Sequence, residues 1–82
     1  MNKIEIYTSQ TCPYCIKAKK LLKMLNLEYV EHDVSESFDN MCEELAKRFD
    51  RSISTVPQII INDKYVGGYT DLESGMLNEY LN

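Results

Sequence analysis

The spacing of apolar residues alternates between strand and helix periods along the chain. Ile4 and Ile6 alternate with polar or aromatic residues, which predicts a short first strand. The next segment, from Cys15 to Leu25, has the i, i+3, i+4, i+7 spacing of an amphipathic helix. The residues that share its apolar face are Ala18, Leu21, Leu22 and Leu25. A second strand is predicted over residues 29–32.

A second helix is predicted over residues 38–49, where apolar residues again recur at helical spacing. Its apolar stripe consists of Phe38, Met41, Cys42, Leu45, Ala46 and Phe49. Ser37 precedes the stripe and is a suitable N-cap residue. Because Cys42 lies in the middle of the stripe, we expect it to pack in the core as a small hydrophobic residue. A redox or regulatory role for this cysteine is the alternative.

The last third of the chain predicts a hairpin and a helix. Residues 58–61 are rich in β-branched side chains, and Pro57 stands before them, where a strand tolerates proline. The turn signal Asn62-Asp63 separates them from a fourth strand over residues 64–66. The run Thr70-Asp71-Leu72-Glu73 fits a capping box that opens a third helix. The residues expected to face inward from this helix are Leu72, Met76, Leu77 and Leu81.

The resulting order of elements is β-α-β-α-β-β-α. Two strand–helix–strand crossovers followed by a hairpin predict a small mixed sheet of four strands with helices on both faces, which is an α/β fold. A chain of 82 residues has the size of one domain, so we expect residues 1–82 to form a single domain.

Composition and charge narrow the possible functions. The net charge of −4 disfavours nonspecific binding to nucleic acid. No apolar run approaches the roughly 18 residues that indicate a membrane span. Three cysteines are unlike the disulfide framework of a secreted protein, and residues 1–4 enter a strand pattern without the apolar core of a signal peptide. We therefore expect a cytoplasmic protein, in a reducing compartment, with no nucleic-acid or membrane partner.

Four residues at the junction of the first strand and the first helix carry the candidate chemistry, Cys12-Pro13-Tyr14-Cys15. A C-x-x-C pair in this position is typical of a dithiol redox centre. The first N–H groups of a helix have no partner and carry partial positive charge, so a sulfur there is stabilised as the thiolate that attacks disulfides. Pro13 suits the first helical turn. Cys12 is therefore the predicted nucleophile, and Cys15, one turn deeper, is the predicted resolving thiol.

Two other interpretations of the cysteine pair have weaker support. A structural zinc site needs four ligands, and only Cys42 and His32 remain, without ligand spacing to other residues. No metal site is therefore predicted, and His32 is expected to be a surface residue of the second strand. A disulfide across so short a loop removes little chain entropy and does not serve as a structural staple.

The first helix also carries several lysines. We expect a solvated basic face, away from the apolar stripe, that consists of Lys17, Lys19, Lys20 and Lys23. The alternative is that Lys17 or Lys19 adds positive potential near Cys12 and attracts anionic thiols.

Three motifs together resemble the glutaredoxin family in its dithiol form. They are Ile6-Tyr7-Thr8 before the cysteine pair, Thr55-Val56-Pro57-Gln58 at the third strand, and Gly67-Gly68-Tyr69-Thr70-Asp71 at the last helix. Their order and spacing are highly specific, and the resemblance covers essentially the whole chain. It implies the thioredoxin-like glutaredoxin fold, a four-stranded mixed sheet flanked by three helices. It also implies a glutathione-dependent thiol–disulfide oxidoreductase that reduces glutathione mixed disulfides and protein disulfides.

The resemblance assigns a role to each matched position. Cys12 is expected to attack the substrate disulfide, take up the glutathionyl group and be released by a second glutathione. Cys15 is expected to be needed only when a protein disulfide is reduced. Pro57 is the expected cis-proline facing Cys12, and the backbone of Val56 is expected to pair with the cysteinyl part of glutathione as a strand edge pairs with a peptide.

The remaining matched positions are expected to complete the glutathione site. Thr70 and Asp71, at the start of the last helix, are expected to hold the γ-glutamyl carboxylate and ammonium groups. Tyr14 is expected to line the groove, together with Thr55 and Gly68. Glutathione is thus the expected co-substrate, and no cofactor is expected to stay bound. The protein is expected to act as a monomer on disulfide-containing or glutathionylated proteins.

The chain departs from the family at one position. Many relatives carry a lysine for the glycyl carboxylate three residues before the first cysteine, and this chain has Ser9 there.

Two other functions are alternatives. A thioredoxin-like reductant is disfavoured by the absence of tryptophan and of a Trp-Cys-Gly-Pro-Cys site. An iron–sulfur cluster carrier, using Cys12 and glutathione across a dimer, is disfavoured by Pro13 and the second cysteine.

Overall fold

The computed structural model describes residues 2–74 and 77–81. Their elements follow the order β-α-β-α-β-β-α with a final 3₁₀ turn, which confirms the predicted fold. The strands are β1 (Ile4–Thr8), β2 (Val30–Asp33), β3 (Gln58–Ile61) and β4 (Lys64–Gly67). The helices are α1 (Pro13–Met24), α2 (Phe38–Phe49) and α3 (Tyr69–Glu73), and the 3₁₀ turn is Leu77–Glu79. Within the described ranges, no helix has the length and apolar character needed to cross a membrane.

The strands form one mixed sheet in the order β2-β1-β3-β4. β1 pairs in parallel with β2 and antiparallel with β3, and β3 pairs antiparallel with β4. The hairpin between β3 and β4 turns at Asn62 and Asp63, whose φ angles of 52° and 64° are left-handed, as a tight two-residue turn requires. β1 is therefore a central strand, and the loop that follows it leads to the cysteine pair.

Alternating residues of the central strands contribute to two cores, one on each face of the sheet. The first core includes residues of α1 and α3, and its most buried members are Ile4, Ile6, Ala18, Leu22, Ile59, Ile61 and Leu72. The second core includes residues of α2 and consists of Val34, Met41, Leu45, Ile53 and Ile60. Because successive strand residues point to opposite faces, β3 joins both cores. Cys42 packs against the second core from a partly buried position, as its place on the apolar stripe predicts.

α2 has the predicted bounds, whereas both ends of α1 differ from the apolar periodicity of residues 15–25. α1 begins at Pro13, with Cys12 as its N-cap, which confirms that Pro13 stands in the first helical turn. The apolar spacing begins only at Cys15 because Pro13 and Tyr14 are exposed. Leu25 is the C-cap and is 47% exposed, so it does not share the buried face where the pattern places it. Ser37 is the N-cap of α2, but its side chain makes no capping hydrogen bond.

The third helix is capped differently from the prediction. It begins at Tyr69 with Gly68 as its N-cap, whereas the predicted capping box places Thr70 at that position. The carboxylate of Asp71 accepts the N–H of Gly68 at 3.1 Å, and Glu73 instead accepts the hydroxyl of Tyr69 at 2.8 Å. Asp71 follows Gly68 by the spacing at which an N3 side chain reaches back to the N-cap N–H, so it takes the role predicted for Glu73.

The inward-facing side of the last segment agrees with the prediction in part. Leu72 and Leu77 are buried, and Leu81 packs partly buried against the first core. Leu77 and Leu81 follow the end of α3 rather than continuing it. Met76, expected on the same side, lies outside the described residues.

We expect truncation in the first core to lower stability far more than truncation on the surface of the same helix. Leu22 is 0% exposed and Met24 is 79% exposed. Leu22→Ala leaves a cavity, so the free energy of unfolding should fall by about 2–5 kcal/mol. Met24→Ala, the matched control, should change it by less than about 0.5 kcal/mol. Urea denaturation measures both values, and equal losses would contradict the packing of α1 on the sheet.

Candidate functional site

The sulfur of Cys12 lies at the start of α1. Cys12 is the N-cap residue, with extended backbone angles of φ −103° and ψ 105°, and Pro13 is the first helical residue. The N–H of Cys15 donates to the Cys12 sulfur at 3.1 Å. The sulfur therefore satisfies one of the N–H groups that a helix start leaves without an internal partner, at the positive end of the helix dipole. Such a position favours the negatively charged form of a sulfur.

The sulfur of Cys15 lies one turn deeper, and the residue is 1% exposed. Burial raises the pKa of its thiol to about 12, and the hydrogen bond with the Cys12 side chain acts in the same direction. Cys15 is therefore protonated at neutral pH and shielded from solvent. Cys12 is partly exposed, so only one of the two sulfurs is open to a substrate.

The loop before β3 lies against Cys12. The Cys12 thiol donates to the carbonyl oxygen of Val56 at 3.4 Å. The peptide bond between Val56 and Pro57 is cis, and Pro57 is buried. The fold thus brings two of the three motifs together, although they are far apart in the chain.

The side chain of Gln58 fixes this loop. Gln58 is 3% exposed, and its amide nitrogen donates to the carbonyl and hydroxyl oxygens of Thr55 at 3.0 and 3.2 Å. The hydroxyl of Tyr65 donates to the amide oxygen of Gln58 at 2.6 Å. No role is predicted for Gln58, although an amide at the first position of an otherwise apolar strand is a signal for such a positioning residue.

A groove of about 240 Å³ lies beside the cysteine pair. It is lined by Tyr14, Thr55, Val56, Pro57, Gly68, Tyr69 and Thr70. All of these except Tyr69 are predicted site residues. The ring of Tyr69 lies 6.0 Å from that of Tyr14, measured between centroids. The signal that could have identified it is an aromatic residue directly after the tandem glycines.

The tandem glycines meet different requirements. Gly67 has a φ angle of 120°, which residues with a side chain rarely adopt, and a Cβ there would collide with the carboxylate of Asp71. A Cβ on Gly68 would meet only the carbonyl oxygen of Pro57, at 3.5 Å. Asp71 does not line the groove, but its carboxylate accepts the N–H of Gly68, which does. Gly67 therefore makes room for the carboxylate at the start of α3.

Three lysines of α1 are exposed, as expected for a solvated face, namely Lys17, Lys20 and Lys23, whereas Lys19 is partly buried. The ammonium of Lys17 lies 5.1 Å from the centre of the Tyr14 ring, next to the groove. The ammonium of Lys19 donates to the carboxylate of Glu31 at 3.0 Å, and the side chain of Lys19 is only 29% exposed. Lys20 is exposed. Two of these lysines thus have defined positions near the cysteine pair or the groove.

A larger cavity of about 500 Å³ lies on the other face of the sheet, with walls from β2 and α2. His32 lines it, and its side chain is 39% exposed on the edge strand β2, which agrees with the expected surface position. Its ring stacks on Tyr7 at 4.7 Å between centroids, and its Nε2 lies 3.5 Å from the carboxylate of Glu5. None of the described residues lining the cavity is a cysteine. Across residues 2–74 and 77–81, no three His, Cys, Asp or Glu side chains are arranged to hold a metal ion.

We expect iodoacetamide to modify Cys12 in preference to Cys15 at neutral pH. Cys12 is partly exposed at the helix start, whereas Cys15 is 1% exposed and its pKa is raised to about 12. Peptide mass spectrometry after brief treatment of the reduced protein should find the label on Cys12. Cys42, whose pKa is also raised by burial, is an internal control and should react slowly. Faster labelling of Cys15 would contradict this assignment of the two sulfurs.

Comparison with known proteins identifies the family. The glutaredoxin family model matches residues 4–66. Glutaredoxin 1 of Rickettsia prowazekii is 45% identical over 75 residues, which cover 88% of this chain and 75% of that protein. The structure of glutaredoxin 1 from Francisella tularensis is 32% identical, with a TM-score of 0.79 over 96% of this chain and 95% of that one. The structure of the buckwheat glutaredoxin–glutathione complex has a TM-score of 0.79 and covers 98% of this chain and 73% of that one. Its sequence is only 23% identical, so this likeness shows the fold alone. The chain therefore belongs to the glutaredoxin family of thiol–disulfide oxidoreductases.

Proposed function

We propose that the protein reduces glutathione mixed disulfides and protein disulfides through Cys12 and Cys15, with glutathione as its co-substrate. The observation that carries this proposal is the partly exposed Cys12 sulfur, held by the Cys15 N–H at 3.1 Å. It lies beside a groove whose wall includes Val56. A thiol-containing peptide would meet there both a reactive sulfur and backbone groups with which it can pair.

The single-cysteine route uses Cys12 alone. The Cys12 thiolate attacks the glutathione sulfur of a glutathionylated substrate, the S–S bond breaks, and the substrate leaves as a thiolate that takes a proton from water. Cys12 then carries the glutathionyl group. A second glutathione thiolate attacks this group, glutathione disulfide leaves, and the Cys12 thiolate is restored. Two glutathione sulfurs thus supply the two electrons that the substrate receives.

A protein disulfide requires the second sulfur. Cys12 first forms a mixed disulfide with one substrate sulfur and releases the other as a thiol. Cys15 then attacks the Cys12 sulfur, so that the Cys12–Cys15 disulfide forms and the second substrate sulfur leaves. Two glutathione molecules reduce the protein disulfide and become glutathione disulfide.

We assign groups in and beside the groove to two parts of an extended tripeptide, the cysteinyl residue and the γ-glutamyl end. The backbone of Val56, whose carbonyl oxygen accepts the Cys12 thiol, would pair with the cysteinyl residue. Thr70 and Asp71 would hold the γ-glutamyl end: the Asp71 carboxylate accepts the Gly68 N–H, and a carboxylate has further lone pairs for an ammonium group. A glutaredoxin of the same fold, the buckwheat protein, was solved with glutathione, and we assign the same ligand to this groove.

Cys15→Ser should keep the deglutathionylation activity and lose the reduction of protein disulfides, whereas Cys12→Ser should lose both. Only Cys12 reaches the substrate, and Cys15 enters after the first mixed disulfide has formed. The measurement is glutathione-dependent turnover of a small mixed disulfide and of a protein disulfide by each variant. Cys42→Ser, the control, should retain both activities. An inactive Cys15→Ser enzyme in the small-disulfide assay would rule out the one-cysteine route.

Ser9→Lys should lower the KM for a glutathionylated substrate by about 1.4- to 5-fold. Ser9 offers the glycyl carboxylate a hydroxyl group but no charge, and an exposed ion pair contributes about 0.2–1 kcal/mol. The turnover number should hardly change, because this contact is present equally in the ground and transition states. The gain should shrink as salt rises, since the Debye length is about 8 Å at 0.15 M ionic strength.

The measurement for this variant is steady-state kinetics at low and high salt. Asn40→Lys adds the same charge at an exposed position of α2, on the other face of the sheet, and should leave KM unchanged. If Ser9→Lys has no effect at low salt, the glycyl carboxylate does not lie near the loop before Cys12.

A further inference from the structure

Three polar side chains from three different elements meet at Lys19, which follows Cys15 by one turn of α1. Thr8, at the end of β1, donates its hydroxyl to the carboxylate of Glu31 at 2.7 Å. Lys19 of α1 donates its ammonium to the same carboxylate oxygen at 3.0 Å. Thr8 is 1% exposed, and the side chains of Lys19 and Glu31 are 29% and 37% exposed. The carboxylate therefore holds the Lys19 ammonium in a defined place between α1 and β2.

The charge of Lys19 lowers the pKa of Cys15. Residues four apart on a helix lie on the same face, and Lys19 follows Cys15 by that spacing within α1. Burial raises the pKa of Cys15, and so does Cys12, whereas the backbone N–H of Ser9 and the Lys19 ammonium lower it. Of the titratable side chains near Cys15, Cys12 raises its pKa and Lys19 lowers it. Glu31 pairs with Lys19 and carries the opposite charge beside the ammonium.

The balance of these effects changes during the reduction of a protein disulfide. In the reduced protein, Cys12 opposes ionisation of Cys15 through a hydrogen bond and through its charge. Once the Cys12 sulfur is part of a mixed disulfide, it has neither a thiol proton nor a charge, so both effects are removed. In the mixed disulfide, the charge of Lys19 is therefore no longer opposed by Cys12, and this is the stage at which Cys15 must ionise.

The geometry points to Lys19 as a positioning residue: its ammonium, held by Glu31, favours the Cys15 thiolate that resolves the mixed disulfide. This inference rests on the proposed function, because only the reduction of a protein disulfide uses Cys15. In that step the Cys15 proton passes to water and the thiolate attacks the Cys12 sulfur. The Cys12–Cys15 bond forms, the bond from Cys12 to the substrate breaks, and the substrate leaves as a thiolate with the two electrons.

Lys19 acts through its charge and transfers no proton. The hydrogen bond with Glu31 raises the pKa of Lys19, so the ammonium persists at neutral pH. Hydrogen bonds from Thr8 and from Lys19 lower the pKa of Glu31, so the carboxylate persists as well. Glu31 fixes the ammonium in place while its own negative charge offsets part of the positive one. Removing the charge of Lys19 should therefore make Cys15 harder to ionise, and removing the charge of Glu31 should make it easier to ionise.

The first test measures the ionisation of Cys15 without glutathione. In a Cys12→Ser, Cys42→Ser protein, Cys15 is the only thiol, and the pH dependence of its alkylation by iodoacetamide reports the thiolate. Lys19→Met should move the profile to higher pH by about 0.3–0.7 pH units, the range for loss of a partly exposed charge pair. Glu31→Gln, whose amide oxygen keeps the two hydrogen bonds, should move it to lower pH by a similar amount.

Two control variants separate charge from structure. Lys19→Arg keeps the cation and should retain the original profile. Lys20→Met removes the neighbouring, exposed lysine and should leave the profile unchanged. No shift for Lys19→Met, or shifts of the same sign for Lys19→Met and Glu31→Gln, would overturn the inference.

The second test measures the consequence in the complete enzyme. Lys19→Met should slow the single-turnover reduction of a protein disulfide by about 1.5- to 2.5-fold at neutral pH. The fraction of Cys15 present as thiolate falls, but a more basic thiolate is a stronger nucleophile, which offsets part of the loss. Turnover of a small glutathione mixed disulfide should be unchanged. If both rates fall together, Lys19 does not act through Cys15. If the wild-type protein shows no glutathione-dependent turnover, the proposed function fails, while the alkylation profile still decides the role of Lys19.

Discussion

The N–H of Cys15 donates to the sulfur of Cys12 at 3.1 Å, and the rest of the site depends on this hydrogen bond. It makes Cys12 the N-cap of α1, so the side chain that caps the helix is also the partly exposed reactive group. The same geometry directs Cys15 inward, where burial raises the pKa of its thiol to about 12. One local interaction thus gives two identical side chains different access to substrate and supports different roles for them.

The sheet supplies the other half of the site. β1 leads into the helix start, and β3, its antiparallel neighbour, follows directly after the loop that contacts Cys12. Gln58 holds this loop from a buried position, and Gly67 at the end of β4 leaves room for the carboxylate that caps α3. The strand order therefore brings three separate stretches of sequence to one groove, although no single stretch contains the site.

Local patterns predict the element order, because each element has its own apolar period and turns or caps separate the elements. The residues of the groove are predicted by the resemblance to the glutaredoxin family, not by these patterns. The patterns fail where two residues fit the same capping position, and where a contact depends on how two elements pack together. Thr70 and Gly68 both fit the N-cap of α3, and the position of the Asp71 carboxylate decides between them. The pairing of Lys19 with Glu31 requires α1 to lie over β2, which spacing along the chain does not reveal.

The proposal that Cys12 takes up glutathione within this groove is tested most directly by trapping the adduct. Cys15→Ser protein treated with glutathione disulfide should form a stable mixed disulfide, and peptide mass spectrometry should locate the glutathionyl group on Cys12. Amide chemical shifts should change most at Val56 and Thr70 when the adduct forms. Equal modification of Cys42, or shift changes that avoid the groove, would contradict both the assigned nucleophile and the assigned site.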